Sequence, residues 1–223
     1  MSTKARRRQQ TAAGIGKPIG AGLPTPIKIG GIVVVGVVAL VAIFYASNRG
    51  GRGASGQAAF QVGEPGPGKE APAFALASTA GGTLDLSSLR GKTVLLYFQE
   101  GVDCQPCWDQ LKDIEKDWGG FQALGIDQIV SVTTDPLTAL KQKVTDDGLS
   151  TPVLSDPTLS ASKAYHANSY GMMGTSADGH SFLVVGPDGL IRFRADYGGA
   201  PNYTMYVKVP TLLAQLQQGL KQG

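Results

Sequence analysis

Seven consecutive residues, Thr93 to Gln99 (TVLLYFQ), set the tightest limit on what this chain can become. The run is apolar, β-branched and aromatic without alternation. That is the pattern of a strand buried on both faces, found in sheets that helices cover on both sides. Five residues beyond it comes Cys104-Gln105-Pro106-Cys107. From Pro106 onward Trp108, Leu111, Ile114 and Trp118 recur at intervals of 3, 3 and 4, which predicts one helix over 106–118. The chain thus carries both of its cysteines from the end of a buried strand to the start of a helix.

The rest of residues 71–223 fits around that strand. Short apolar segments on either side of Gly81-Gly82 predict a hairpin between Phe74 and Leu86. Gln128 to Thr134 and Thr151 to Leu154 read as further strands, and the Asp-Pro pairs at 135–136 and 156–157 signal helix starts after them. Leu137, Leu140 and Val144 make one stripe of the first of these helices. Ser181 to Val185 and Leu190 to Ala195 flank Gly186-Pro187-Asp188-Gly189 as a second hairpin, and Thr211 to Lys221 closes with helical periodicity. The order predicts an α/β fold, a mixed central sheet with helices on both faces.

Charge is unevenly spread ahead of this domain. Residues 1–46 hold six basic residues and no acidic one, leaving 14 basic against 17 acidic in the remainder. A mildly acidic body is a poor match for nucleic acid, so the basic end needs another account. Ile29 to Ala46 supplies it with 18 uncharged residues, about the minimum that spans a bilayer. Positive charge is denser before this run than after it, where Arg49 and Arg52 follow. Residues 1–28 are therefore expected in the cytoplasm, 29–46 as a single-pass transmembrane helix, and the rest outside. For a cleaved signal peptide the apolar run is long and the small-residue site at Ala42 to Asn48 is weak. Residues 47–70, rich in Gly, Ser, Ala and Pro, read as a flexible linker.

Outside the cytoplasm a disulfide can persist. A bridge from Cys104 to Cys107 closes too short a loop to add much stability, so redox exchange is the better reason for the pair. At a helix start, free N–H groups and the positive dipole end favour a thiolate, lowering a cysteine pKa from about 8.5 to roughly 3.5–7.5. Cys104 is expected at the solvent-facing lip as nucleophile, and Cys107, one turn in, as resolving thiol. Pro106 removes an N–H where helices tolerate its loss. Zinc needs three or four ligands and only His166 and His180 could join the cysteines, so no metal or other cofactor is expected.

From Ala71 to about Gly199 the chain resembles the thioredoxin-fold redoxin superfamily. That superfamily takes in the peroxiredoxins of AhpC/TSA type and the membrane-anchored TlpA/ResA-type thiol–disulfide oxidoreductases. The residues that carry the resemblance are APAFALASTAGGTLDLSSLRGKTVLLYF, the CxxC, the TTDP after the second long strand and GPDGLIRFR in the hairpin. It implies a thioredoxin-like fold and redox-active cysteines acting on extracytoplasmic thiol or disulfide proteins, with an upstream electron donor or acceptor. Three positions depart from the family. Asp103 stands where thioredoxin-like reductases place Trp, and Gly179-His180 where they place a Thr-cis-Pro pair. Against peroxiredoxins, Cys107 falls at the peroxide-attacking cysteine, Cys104 replaces a Thr and Glu100 a Pro, and no arginine partner is evident near Phe182. A thiol peroxidase with antioxidant activity is the alternative enzyme, with Cys107 attacking and Cys104 resolving. Sco-type copper chaperones share the fold, so Cys104, Cys107 and His180 form an alternative copper site, although their cysteine spacing differs.

Other residues carry weaker expectations. His180 is read as a loop residue that tunes a thiolate by charge or hydrogen bonding. Glu100 and Asp103 either relay protons to the buried cysteine or are simply solvated. Met172, Met173 and Met205 read as gap-fillers or a peptide-binding surface. Trp108 and Trp118 read as core, His166 as a structural helix residue, and Asp196 to Tyr203 as a recognition loop.

Overall fold

The computed structural model describes residues 58–221. The expected cytoplasmic tail 1–28, the transmembrane helix 29–46 and linker residues 47–57 lie outside the described residues. Among the described residues no helix is long and apolar enough to cross a membrane.

Seven strands form one mixed sheet. They are β1 (Ala75–Ser78), β2 (Thr83–Asp85), β3 (Val94–Phe98), β4 (Gln128–Thr133), β5 (Val153–Ser155), β6 (Ser181–Val185) and β7 (Ile191–Asp196), in the spatial order β2-β1-β5-β4-β3-β6-β7. The strand that dominated the sequence is central, parallel to β4 and antiparallel to β6, and all five of its residues are buried. Both expected hairpins form, β1–β2 around Gly81-Gly82 and β6–β7 around Gly186 to Gly189.

Helices α1 (Gln105–Lys116), α2 (Trp118–Gln122), α3 (Leu137–Asp147), α4 (Ser160–Ala164) and α5 (Val209–Leu220) complete the layers. Alternate residues of β3 divide the core in two. Leu95 and Tyr97 meet Trp108, Leu111 and Ile114 of α1, Leu140 of α3, and Leu212 and Leu216 of α5. Val94, Leu96 and Phe98 face the other way, toward Ala161, Tyr165 and the short 3-10 turn with Leu86 and Leu89. Burying apolar side chains at about 25 cal/mol per Å² on both faces explains why the central strand reads as an unbroken apolar run.

Three expectations are corrected. The helix expected over 106–118 ends at Lys116, and Trp118 starts the separate α2, half-buried and stacked on Phe121 at 5.8 Å. Gly119-Gly120, poor helix formers, follow that break. His166 does not lie in a helix. It lies two residues past the end of α4, at φ 49°, before the 3-10 turn Ala167–Ser169, with its side chain exposed. Residues 58–70 do not behave as a flexible linker. Gln61 bonds Asp196 in both directions at 2.8–2.9 Å, Glu70 bridges Leu190, and the Phe60 ring lies 5.5 Å from Tyr197 and 6.0 Å from Phe193. This arm covers the edge strand β7, whose unpaired N–H and C=O groups would otherwise face outward.

Candidate active site

Cys104 caps the N-terminus of α1, its carbonyl accepting the N–H of Cys107 at 3.0 Å and of Trp108 at 3.3 Å. Pro106 lies in the first turn, where its missing N–H removes no helix bond, and it is exposed. Cys104 and Cys107 are joined by a disulfide. Cys107 is fully buried while Cys104 keeps 7% of its surface, so only Cys104 touches the outside. The expected division between an outer and an inner cysteine has this geometry.

The loop that brings the chain from β3 to Cys104 is fixed by three bonds. The Trp108 indole N–H donates to the Gly101 carbonyl at 2.8 Å, the Cys104 N–H to the same carbonyl at 3.0 Å, and the Val102 N–H to Asp135 Oδ2 at 2.8 Å. Gly101 has φ +99°, and a Cβ there would meet Asp135 Oδ2 at 1.7 Å, so only glycine allows this turn. Trp108 is therefore more than core. It anchors the loop that presents the disulfide.

Beneath the cysteines lies a buried polar pair. Tyr97 projects from β3, stacked on Phe182 with 4.4 Å between ring centroids. Its hydroxyl oxygen lies 3.2 Å from the Cys107 carbonyl oxygen and 3.0 Å from His180 Nδ1. If the phenolic hydrogen goes to the carbonyl, Nδ1 carries the hydrogen that reaches Tyr97 and Nε2 is a bare lone pair; if it goes to Nδ1, Nε2 carries the hydrogen. Either way Nε2 is buried with no hydrogen-bond partner among the described residues. Burial pushes the His180 pKa down to about 3, and burial, with a smaller contribution from the Glu100 charge, pushes that of Tyr97 well up. His180 is thus neutral at ordinary pH, which removes charge from the two tuning routes expected of it and leaves hydrogen bonding.

His180 reaches this position because three segments pass unusually close. Its N–H donates to the Tyr170 carbonyl at 3.1 Å, and its own carbonyl accepts Tyr197 and Gly198. A Cβ at Gly179 would sit 1.5 Å from the Tyr170 carbonyl oxygen. Glycine stands there, in place of the expected Thr-Pro pair, because a backbone crosses that space.

The remaining candidates are placed as follows. Glu100, half-buried, accepts the Met172 N–H and so ties the loop at 171–173 to the end of β3. Asp103 is exposed beside Cys104. Met172 and Met173 are exposed, whereas Met205 is buried and packs with Cys104 and Cys107 as one cluster. The alternative copper set does not assemble. The sulfurs are bonded to each other, His180 Nδ1 is turned to Tyr97, and no group of three His, Cys, Asp or Glu among the described residues is gathered to hold a metal. An open groove of about 530 Å³ lies beside Pro106, lined also by Asp109, Lys112, Asp113 and Tyr206.

Sequence reasoning missed Tyr97, which a fully apolar strand pattern hides, and Arg194. The Arg194 guanidinium is wholly buried and bonds both oxygens of Asp196, at 2.8 and 3.0 Å. It stands opposite Leu183, on the sheet face away from α1, so it is not a cation for the sulfurs. The i, i+2 spacing of Arg194 and Asp196 on one strand face was the available signal.

The AhpC/TSA family profile matches residues 67–194, more than half of the chain. A Mycobacterium tuberculosis protein described as a peroxiredoxin is 33% identical over 130 residues, covering 56% of this chain and 81% of its own. The thiol-disulfide oxidoreductase ResA of Halalkalibacterium halodurans is 32% identical over 98 residues, 44% of this chain and 55% of that protein. Among solved structures, Mycobacterium tuberculosis peroxidoxin BcpB superposes with a TM-score of 0.57 at 18% identity, over 68% of this chain and 96% of that one. The reduced 2-Cys peroxiredoxin of Plasmodium vivax does so with 0.57 at 20% identity, over 70% and 83%. These structural likenesses bear on the fold alone.

Proposed function

This chain belongs to the AhpC/TSA family of redoxin oxidoreductases, and from that premise we propose that it is a membrane-anchored thiol–disulfide oxidoreductase working through Cys104 and Cys107 on extracytoplasmic proteins. The observation that carries this reading is the asymmetry of the disulfide, one cysteine at the outer edge of a helix start and the other sealed beneath it. A partner thiolate attacks Cys104 Sγ, forms the mixed disulfide and breaks the Cys104–Cys107 bond, and the electron pair leaves on Cys107. A second partner thiolate then releases Cys104, so the partner is oxidised and the pair reduced by two electrons. Run in reverse, the same steps reduce a client. Tyr97 holds the Cys107 carbonyl throughout, and His180 orients Tyr97. The groove beside Pro106 is where a client segment would lie.

The anchoring part rests on the 18 uncharged residues from Ile29 to Ala46 and the basic residues before them. Protease added to intact cells should remove the domain if it faces outward, and leave it untouched if the topology is reversed. For the chemistry, Cys107→Ser should accumulate a mixed disulfide with a partner through Cys104. If no adduct forms with Cys107→Ser while the unsubstituted protein consumes peroxide, the exchange reading is wrong.

The family membership supports a second reading, thiol peroxidase. Here the Cys107 thiolate attacks a peroxide oxygen and breaks the O–O bond, releasing water or an alcohol and becoming a sulfenic acid, which condenses with the Cys104 thiol to the disulfide and releases a further water. Peroxide consumption that survives Cys104→Ser and disappears in Cys107→Ser selects this reading. The position of the buried cation Arg194 on the far face of the sheet favours exchange instead.

A further inference from the structure

We propose that Met205 is a gate over the disulfide, a positioning residue that decides which thiols reach Cys104 and how fast; the proposal rests on the exchange reading above. Residues 197–208 have no regular secondary structure, yet the segment around Met205 is held at three points. The Thr204 N–H donates to the Tyr197 carbonyl at 3.0 Å. The Val207 N–H donates to Gln110 Oε1 at 2.6 Å, and the Tyr206 hydroxyl to Asp113 Oδ2 at 2.5 Å. Gln110 and Asp113 both belong to α1, the helix that Cys104 caps. An irregular segment is thus tied to the helix that carries the active pair by the two residues after Met205, and to Tyr197 by the one before it.

The residue so held is an unbranched thioether, the most adaptable apolar side chain. Met205 forms a small buried cluster with Cys104 and Cys107, separate from the two large cores of the domain. Its methyl is close to Gly198, where an added Cβ would lie 3.0 Å from it, and Gly198 donates to the His180 carbonyl. Met205 therefore fills the space between the disulfide and the His180 loop. Thiol–disulfide exchange needs the incoming sulfur in line with the bond it breaks, behind Cys104 Sγ. With Cys104 at 7% exposure, a thiolate reaches that line only as Met205 swings aside. The cost falls on every reductant and is larger for a bulky one, so the gate sets both rate and selectivity.

The test follows reduction of the oxidised protein by dithiothreitol and, separately, by glutathione, quenching with iodoacetamide and reading the mass of the alkylated cysteines. Met205→Ala should be reduced about tenfold faster by dithiothreitol, the rate equivalent of removing one buried apolar cover, and by a larger factor with glutathione. Met205→Leu, which keeps the volume, should stay within about twofold of the parent. Tyr206→Phe removes one tie without touching the cover and should give a smaller acceleration in the same direction. That variant also reads the gate if Met205→Ala folds poorly by thermal unfolding. The equilibrium with a dithiothreitol redox buffer separates a gate from a contact that merely stabilises the disulfide, since a gate speeds both directions and leaves the equilibrium in place. An unchanged rate in Met205→Ala and Tyr206→Phe overturns the proposal, as does an equilibrium that shifts as much as the rate. Because the reductants are small thiols, this outcome is independent of whether Cys107→Ser traps a protein partner.

Discussion

Two buried polar pairs lie on opposite faces of one sheet, and they are finished to different degrees. Arg194 and Asp196 leave nothing open. The carboxylate takes two guanidinium bonds and the Gly63 N–H, while the remaining guanidinium nitrogen reaches the Pro65 carbonyl at 3.2 Å. Tyr97 and His180 share one bond at 3.0 Å and leave the second imidazole nitrogen without a partner. A buried polar group normally has its partners, so an orphan calls for an explanation. The closed pair fastens the N-terminal arm to β7. The open pair sits under the sulfurs, where the hydrogen-bonding demand changes when the disulfide becomes two thiols. The comparison teaches that completeness marks the structural pair and incompleteness the one beside the chemistry.

The largest test breaks the closed pair. Arg194→Leu leaves Asp196 as an uncompensated buried charge, and stability should fall by about 3–5 kcal/mol in urea unfolding. The exchange rate per folded molecule should stay the same, because the guanidinium does not reach the sulfurs. Lost activity with intact stability would place Arg194 in the chemistry and restore the peroxidase reading.

The next test uses pH to tilt the open side. Unfolded His180 takes up a proton below its ordinary 6.5, but the folded site resists protonation down to about 3. The unfolded state then binds more protons, so this group's contribution to stability is present above 6.5 and is lost as pH falls toward 3, by up to about 1.4 kcal/mol per pH unit. Asp178, two residues away, does the opposite. Burial, and less strongly the Asp156 charge, raise its pKa well above 3.8, and neither of its oxygens has a hydrogen-bond partner among the described residues, since Ser162 donates to Asp156. Its folded form keeps a proton that the unfolded chain releases, so stability falls as pH rises past 3.8. Between 3.8 and 6.5 the two slopes oppose each other. His180→Phe should leave a profile that loses stability with rising pH, and Asp178→Asn one that loses it with falling pH. Unfolding midpoints measured across this window check both signs. Equal profiles in all three proteins would mean that neither group is held out of its ordinary protonation state.

Most of the architecture was legible because it follows from period and turn chemistry. The unbroken TVLLYFQ run, the Asp-Pro helix starts and Gly186 to Gly189 each carry a local cause that the tertiary structure kept. The cysteine pair was legible for the same reason, as residues at a helix start. What escaped depends on proximity between distant segments. Tyr97 looks like any aromatic in a buried strand until His180, 83 residues on, is placed against its hydroxyl. Met205 looks like a gap-filler until the coil around it is seen tied to α1. Residues 58–70 failed the other way. Their Gly-Pro content hid apolar and backbone contacts to β7, because composition describes what a segment does alone and not what an exposed strand edge offers it.

A gentler cut at the open pair is Tyr97→Phe. It removes one hydroxyl, keeps the stacking on Phe182, and strands His180 Nδ1 and the Cys107 carbonyl. Stability should drop by about 1–3 kcal/mol, the cost of unpaired buried groups, and exchange should slow because the turn bearing Cys107 loses its tether. Full activity in a destabilised Tyr97→Phe would make the pair structural after all and dissolve the contrast with Arg194 and Asp196.

The smallest effect is expected at Asp103, and it sharpens the contrast by leaving it alone. This carboxylate is next to Cys104 in sequence yet exposed, in the high-dielectric surface layer. There a unit charge about 4 Å from another is worth only about 1 kcal/mol in water, and salt screens it over about 8 Å at physiological ionic strength. Asp103→Asn should therefore change stability by less than about 0.5 kcal/mol. Exchange should rise no more than about fivefold at low salt, as a repulsion for incoming thiolates is lifted, with most of that gain gone at 0.5 M salt. Rates measured at both salt concentrations decide the matter. A slower rate that salt does not alter would mean that Asp103 passes a proton to the cysteines, and the buried pair beneath them would then not be the only polar group at work there.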